Sequence, residues 1–340
     1  MLTQKKNEKN RIVAFRVDVS REVGIGHLKR LIVLKEKMKI KNNFWLVKGD
    51  KKIFFNFIKK DKYVFFSKSE NRMISFLKKK KIDKVIMDIS HQSNLNNNNI
   101  FYIQKNYINN KLKIISFDDP KQKIISDISI IPYVVTDIKF KKKQNSIVFS
   151  GPSYFLHKIK KNKSNLNKIK NILIVISGTD PKNIGFKIYK TLENLKYNFK
   201  IILGENYEEF KKNNVKNIVK RNHHFIKRSK NLNKELSWSD LVICGEGHIK
   251  YESVFANRPT VIVNQFERQN ILVDKFKQLN ICHSVGNYKQ KRKKLIRSSI
   301  LNYILNKKKR IYHKNNSNKY FNQKINSNDL HRMIRRINTL

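Results

Sequence analysis

The sequence has little of what an extracellular or membrane protein needs. Cysteine occurs only twice in 340 residues. Cys244 and Cys282 are too far apart for a Cys-x-x-Cys pair and both stand in apolar surroundings, so buried thiols in a reducing cytoplasm are expected. No run of roughly 18 apolar residues is present, and no membrane span is expected. Met1 to Asn10 is polar and lysine-bearing, with no apolar segment behind it that looks like a signal peptide. A full dinucleotide fingerprint is missing, because Lys29 stands where the third glycine of Gly-x-Gly-x-x-Gly would be. Acidic residues are scarce: 25 against 75 basic ones, a net charge of +50. That charge is spread along the whole chain among asparagines, on what would be solvated helix faces, and no nucleic-acid-binding motif accompanies it. Nucleic acid is therefore not the expected partner, although the charge could steer an anionic substrate.

Phe15-Arg-Val-Asp-Val-Ser-Arg-Glu-Val-Gly-Ile-Gly-His27 organises the chain. An apolar run, Ile12 to Val17, leads into a polar turn holding Gly24 and Gly26 and ending at His27. Leu28, Leu31, Ile32 and Met38 then recur at helical steps, with Lys29, Arg30, Lys35 and Glu36 between them on the polar side. The reading is strand, glycine turn, helix. Glycine lets backbone approach a ligand, and a helix start offers N–H groups to an anion. A histidine there can titrate near neutral pH and act as a general base.

The length calls for two domains. Strands are expected near 44–47, 63–66, 84–88, 112–117 and 128–133, alternating with helices near 51–60, 69–80 (capped by Ser69) and 100–108. The segment 148–157 breaks this pattern, and a Lys/Asn-rich linker follows at 158–170. Alternation resumes with strands at 172–176, 199–204, 241–245 and 260–263 and helices at 183–195, after Gly247, and at 269–278. His223-His224 is an adjacent pair expected in a loop, without partner spacing for a metal site. The division is 1–150, a linker over 151–170, 171–290, and a basic helical tail over 291–340. In that tail Leu295, Ile296, Ile300, Tyr303 and Ile304 form an apolar face expected to pack on the core, with weak contact to anionic membrane as the alternative. Alternating strands and helices predict parallel sheets with ligands at the carboxyl ends of the strands, where Gly24, Gly26, His27, Asp88, Asp118 and Asp119 fall.

Several of these stretches together resemble a known family. Phe15-Arg-Val-Asp18 with Gly24-Ile-Gly-His-Leu-Lys-Arg30, Ile115-Ser-Phe-Asp-Asp119, Ser150-Gly-Pro-Ser-Tyr154, Ser177-Gly-Thr-Asp-Pro-Lys-Asn183, and Gly247 to Glu252 followed by Pro259 and Gln269 are similar, in order, to the UDP-2,4-diacetamido-2,4,6-trideoxy-β-L-altropyranose hydrolases of pseudaminic acid biosynthesis, relatives of MurG-type glycosyltransferases. The resemblance spans most of residues 11 to 285. It implies an α/β fold of the glycosyltransferase B type, with two Rossmann-like domains facing across a cleft. It also implies a UDP-sugar substrate and inverting hydrolysis at the anomeric carbon, without metal or cofactor.

On that resemblance His27 holds or deprotonates the attacking water, and Gly24 and Gly26 form its loop, braced by Arg16 and Asp18. Asp119 belongs to the Asp-Asp turn. Gly178 and Asp180 belong to the turn that opens the second domain. Gly247 and His248 start the helix that meets the diphosphate, Glu252 takes the ribose hydroxyls, and Gln269 contacts sugar or diphosphate. The sequence departs from the pattern at Ser177, His248, Ile249, Asn257 and Arg268, so the N-terminal motif is better kept than the nucleotide turn. Two other functions fit the same residues: a glycosyltransferase using a sugar or lipid acceptor, and a noncatalytic polyanion-binding protein.

Overall fold

The computed structural model describes residues 12–20, 23–59, 61, 63–89, 112–118, 124–134, 146–163, 166–178, 180–204, 222–227, 229, 231–265, 270–321 and 323–340. The chain divides into two compact units, Met1–Leu156 with Gln323–Leu340, and His157–Asn322.

The first unit is built on seven parallel strands: β1 (Val13–Val19), β2 (Asn43–Gly49), β3 (Val64–Phe66), β4 (Lys84–Asp88), β5 (Lys113–Phe117), β6 (Ile128–Ile131) and β7 (Ile147–Ser150). They lie in the order β3-β2-β1-β4-β5-β6-β7. Every residue of β1 is buried, because both faces of a parallel sheet are covered. On one face Phe15, Val17 and Val19 meet Leu28, Leu31 and Leu34 of helix α1 (Gly26–Lys37). On the other, Ala14 joins a cluster with Met73, Ile74 and Leu77 of α3 (Glu70–Lys79). Between α1 and α3 lies the short α2 (Lys51–Phe55), capped by Asp50 and ending earlier than the expected 51–60. Gly49 precedes it at φ +136°, where a Cβ would stand 1.8 Å from the carbonyl oxygen of Val19, so only glycine fits. Ser69 caps α3 as expected, accepting from the Arg72 N–H at 3.4 Å.

Two features differ from the sequence reading. The first three residues of the stretch read as a break, 148–150, belong to the edge strand β7, which starts at Ile147. The expected helix at 100–108 lies outside the described residues. Finally, the basic tail divides. Its last helix, which follows the second unit in the chain, covers Gln323–Thr339 and buries Met333 and Ile337 in the first unit's core beside Phe15 and Leu28. There the buried Lys84 ammonium donates to the Ile337 carbonyl at 2.8 Å, and Arg332 donates to the Tyr154 hydroxyl at 3.0 Å.

The second unit has six parallel strands: β8 (Asn171–Val175), β9 (Asn198–Ile202), β10 (His223–Ile226), β11 (Leu241–Cys244), β12 (Thr260–Asn264) and β13 (His283–Asn287), in the order β10-β9-β8-β11-β12-β13. Its helices are α4 (Ile184–Leu192), α5 (Leu232–Trp238), α6 (His248–Phe255), α7 (Asn270–Gln278), α8 (Lys293–Leu305) and α9 (Lys307–Tyr320); the returning helix Gln323–Thr339 is α10. Ile296, Ile300, Tyr303 and Ile304 of α8 pack on the sheet, while Leu295 points outward, 57% exposed. The expected linker is stitched to this unit instead of crossing freely. Lys160 N–H donates to Asn233, and the Arg258 guanidinium donates to the carbonyls of Lys163 and Ser237. His223-His224 is not in a loop but opens β10, where the buried His223 shares a 2.9 Å hydrogen bond with the Tyr189 hydroxyl. Cys244 and Cys282 are free and buried, and burial pushes the Cys282 thiol up to about 12.

Candidate active site

In the first sheet β1 and β4 are neighbours, although two strands and their connections separate them in sequence. The helix after β1 therefore runs back over one face beside the carboxyl end of β4, and this reversal is where open α/β sheets bind ligands. The turn after β1 is tied by the Gly24 N–H to the Ser20 carbonyl at 2.8 Å, with Gly24 at φ +80°. Gly26 then begins α1, which places His27 at its second position. Arg30 stands one turn later on the same face.

Both reach Asp88, the last residue of β4. His27 Nδ1 lies 2.6 Å from Asp88 Oδ1. The Arg30 guanidinium grips the same carboxylate with two bonds, Nε to Oδ2 at 2.6 Å and Nη2 to Oδ1 at 2.7 Å. Arg30 also donates through Nη2 to Asp118 Oδ2 at 3.1 Å and through Nη1 to the Tyr133 hydroxyl at 3.3 Å. Arg30 is 1% exposed and Asp88 fully buried, whereas the His27 side chain keeps 13% of its surface. Burial opposes the charged imidazolium of His27, but the Asp88 charge and its hydrogen bond outweigh that, and the proton affinity of His27 is raised above its ordinary 6.5. Burial likewise opposes the Asp88 carboxylate, yet Arg30 and His27 together pull its pKa far down. An anionic Asp88 fixes the tautomer, with Nδ1–H donating to it.

His27, Asp88 and Asp118 offer ligand atoms within 4.8 Å of one another, the spacing of a metal site. The donor set argues for an ion-pair network instead. Both oxygens of Asp88 already accept from Arg30 or His27, and a buried guanidinium sits among the three where a metal cation would meet repulsion.

The remaining predicted residues fall into separate settings. Arg16 and Asp18 lie on the opposite face of the first sheet from α1. Arg16 pairs there with Asp18 at 2.6 Å and with Glu70 at the start of α3. Asp119 and Gln269 lie outside the described residues; of the Asp-Asp pair, Asp118 is the one seen beside His27. In the second unit Gly178 is exposed in the turn after β8. Asp180 is 3% exposed, and its two oxygens accept from the N–H groups of Ile184 (3.0 Å) and Gly185 (2.8 Å), so its side chain satisfies the first N–H groups of α4, whose N-cap position is Asn183. Asp180→Ala should therefore cost about 1–2 kcal/mol of stability in urea unfolding, with little change in ligand affinity.

Gly247 is exposed at the start of α6. His248 is the helix's first residue and Glu252 stands one turn later, both half-buried. The turn before them is tight: a Cβ on Gly245 would come within 2.4 Å of the Ile176 carbonyl oxygen. The sequence reading missed Arg30, taken as a polar-face residue, and Tyr133. For Arg30 a signal existed in its i+3 spacing from His27; Tyr133 had none.

No family model matches the chain. An uncharacterized protein of Methanocaldococcus jannaschii is 26% identical over 294 residues, covering 80% of this chain; the match spans only 59% of that protein's length. Among solved structures, MurG of Acinetobacter baumannii aligns with a TM-score of 0.65 at 12% identity, over 97% of this chain and all of that one. A Staphylococcus aureus MnaA–UDP co-structure aligns at 0.63 and 15% identity, over 97% and 98% of the two chains. The spinosyn rhamnosyltransferase SpnG aligns at 0.64 and 10% identity, over 95% and 97%. At these identities the likeness is one of fold: two parallel-sheet Rossmann-like domains of the glycosyltransferase B type. Among the described residues no helix is long and apolar enough to cross a membrane.

Proposed function

We propose that the protein is a nucleotide-sugar enzyme that hydrolyses a UDP-linked diacetamido-trideoxy hexose at the anomeric carbon, with His27 as the general base. The observation that carries this reading is the buried Asp88–Arg30 pair holding His27 by Nδ1 at 2.6 Å. A histidine so oriented, with a raised affinity for a proton, is suited to take one from water as that water attacks. The water oxygen bonds to the anomeric carbon while the bond from that carbon to the diphosphate oxygen breaks. The electron pair leaves with UDP, and the proton passes to His27 Nε2. Attack from the face opposite the leaving group inverts the configuration. The nucleotide side of this reading rests on the family resemblance, which assigns the N–H groups at the start of α6, at Gly247, to the diphosphate and Glu252 to the ribose hydroxyls.

The same residues serve a glycosyltransferase about equally well, with His27 deprotonating an acceptor hydroxyl in place of water. The fold shared with MurG and SpnG favours that second reading. Incubation of the purified protein with the UDP-sugar and a chelator, in the absence of any acceptor, separates them. The hydrolase releases UDP and free sugar stoichiometrically. A transferase releases UDP only after an acceptor is added.

A further inference from the structure

Asp88 is half of the charge story around His27. Its carboxylate is met by the Arg30 guanidinium through two bonds of 2.6 and 2.7 Å, so Arg30 offsets part, but not all, of its charge next to the ring. A second carboxylate, that of Asp118, stands on the other side of Arg30. Its Oδ2 lies 3.1 Å from Arg30 Nη2 and 4.0 Å from His27 Nδ1, and its side chain is 13% exposed. Among the described residues, the charged groups acting on His27 are Arg30 from its own helix, Asp88 from β4 and Asp118 from the end of β5, while Tyr133, from the segment after β6, bears on them through Arg30. With Tyr133 neutral, Arg30 and the two carboxylates sum to one negative charge, which a proton on His27 neutralises.

The backbone is arranged to bring Asp118 there. Asp118 has φ +60°, the left-handed region that non-glycine residues rarely occupy, and its N–H is anchored to the Ile130 carbonyl at 3.0 Å. An extended residue at this point would continue the line of β5; the left-handed one turns the carboxylate back toward α1. Tyr133 bridges the far side of the network, its hydroxyl receiving Arg30 Nη1 at 3.3 Å and bonding to Asp118. Strain of this kind persists where surrounding contacts over-determine it, and it concentrates at functional sites.

We propose that Asp118 is a positioning residue for His27: across Arg30 it supplies a second negative charge, which adds to that of Asp88 at the imidazole and offsets the guanidinium between them. In its effect on rate this inference rests on the hydrolytic reading of His27; in its effect on the ring it does not. The test is the proton NMR titration of the His27 imidazole in the full-length protein, assigned by loss of its signal in His27→Gln. Asp118→Asn keeps the shape and tolerates the left-handed backbone. It should lower the His27 midpoint by about 1 pH unit, a tenfold loss of proton affinity. Asp118→Gly, which suits φ +60° with no side chain, should give a drop of the same size and guards against an effect peculiar to the amide. Tyr133→Phe, which keeps every charge, should move the midpoint much less. An unchanged midpoint in both Asp118 variants overturns the proposal, as does a Tyr133→Phe shift as large as theirs. If the midpoint falls but the wild-type protein releases no UDP from any UDP-sugar, the inference stands and the hydrolase reading fails. If the wild-type protein hydrolyses its substrate while the midpoint stays fixed, the reverse holds.

Discussion

His27→Gln should lower UDP release from the UDP-sugar by about 10²–10⁴-fold, the range by which a positioned general base accelerates proton transfer. Affinity for UDP itself, measured by calorimetry, should change little, because the loss falls on the chemical step. The pH profile carries a second mark of the same residue. A protonated imidazole accepts nothing, so kcat/KM falls on the acid side of the His27 pKa. That pKa is raised above 6.5, and the acid limb should accordingly lie above 6.5 rather than below it. Undiminished turnover in His27→Gln, or an acid limb well below 6.5, would remove His27 from the reaction.

The largest expected effect on stability is that of Asp88→Ala. The change leaves Arg30, 1% exposed, without its main counter-charge and removes the partner of His27 Nδ1. Breaking one side of a buried ion pair costs about 3–5 kcal/mol, because the surviving charge stays desolvated. The pH dependence follows from the direction of the Asp88 shift. Its folded pKa lies below the ordinary 3.8, so its stabilisation is fully present above 3.8 and is lost as pH falls further. The gap between Asp88→Ala and wild type should therefore be widest between 3.8 and 6.5, where both Asp88 and its effect on His27 contribute, and narrow in acid. His27 works the other way: with a raised folded pKa, its contribution is full below 6.5 and fades as pH climbs through the folded value. A double variant, Asp88→Ala with Arg30→Leu, should recover a large part of the loss, since it removes the stranded charge as well. Urea unfolding at pH 7 and at pH 3 measures all of this. A double variant as unstable as Asp88→Ala would show that something other than the unpaired guanidinium sets the cost.

Much of the first unit can be read along the chain because its signals are local. An apolar run of strand length followed by a glycine turn and a 3–4 stripe describes β1 and α1 within a residue or two, and Ser69 caps its helix where a serine before an apolar stripe should. Boundaries held less well where tertiary contacts decide them. The helix expected to 60 stops at Phe55, and the edge strand β7 is a short run whose pairing with β6 is what makes it a strand. His223 looked like a loop residue because a histidine pair carries no β signal; its burial against Tyr189 becomes visible only once β10 is placed beside β9.

The site divides in the same way. Periodicity reports which residues face water on average, and it assigns Arg30 to the polar side because arginine usually belongs there. Its burial depends on partners 58, 88 and 103 residues away, at the ends of β4 and β5 and just beyond β6. Those ends gather around α1 only because β4 lies beside β1, with β5 and β6 following outward, a strand order no local pattern encodes. Likewise the basic tail reads as one helical stretch, but Met333 and Ile337 carry its last helix back into the first unit's core. By itself, then, the sequence determined the alternation of strands and helices, the two-unit plan and the histidine at the head of α1, since each follows from the order of neighbouring residues. The tertiary structure alone decided which acids and which arginine surround that histidine, because charges meet where strands are laid side by side.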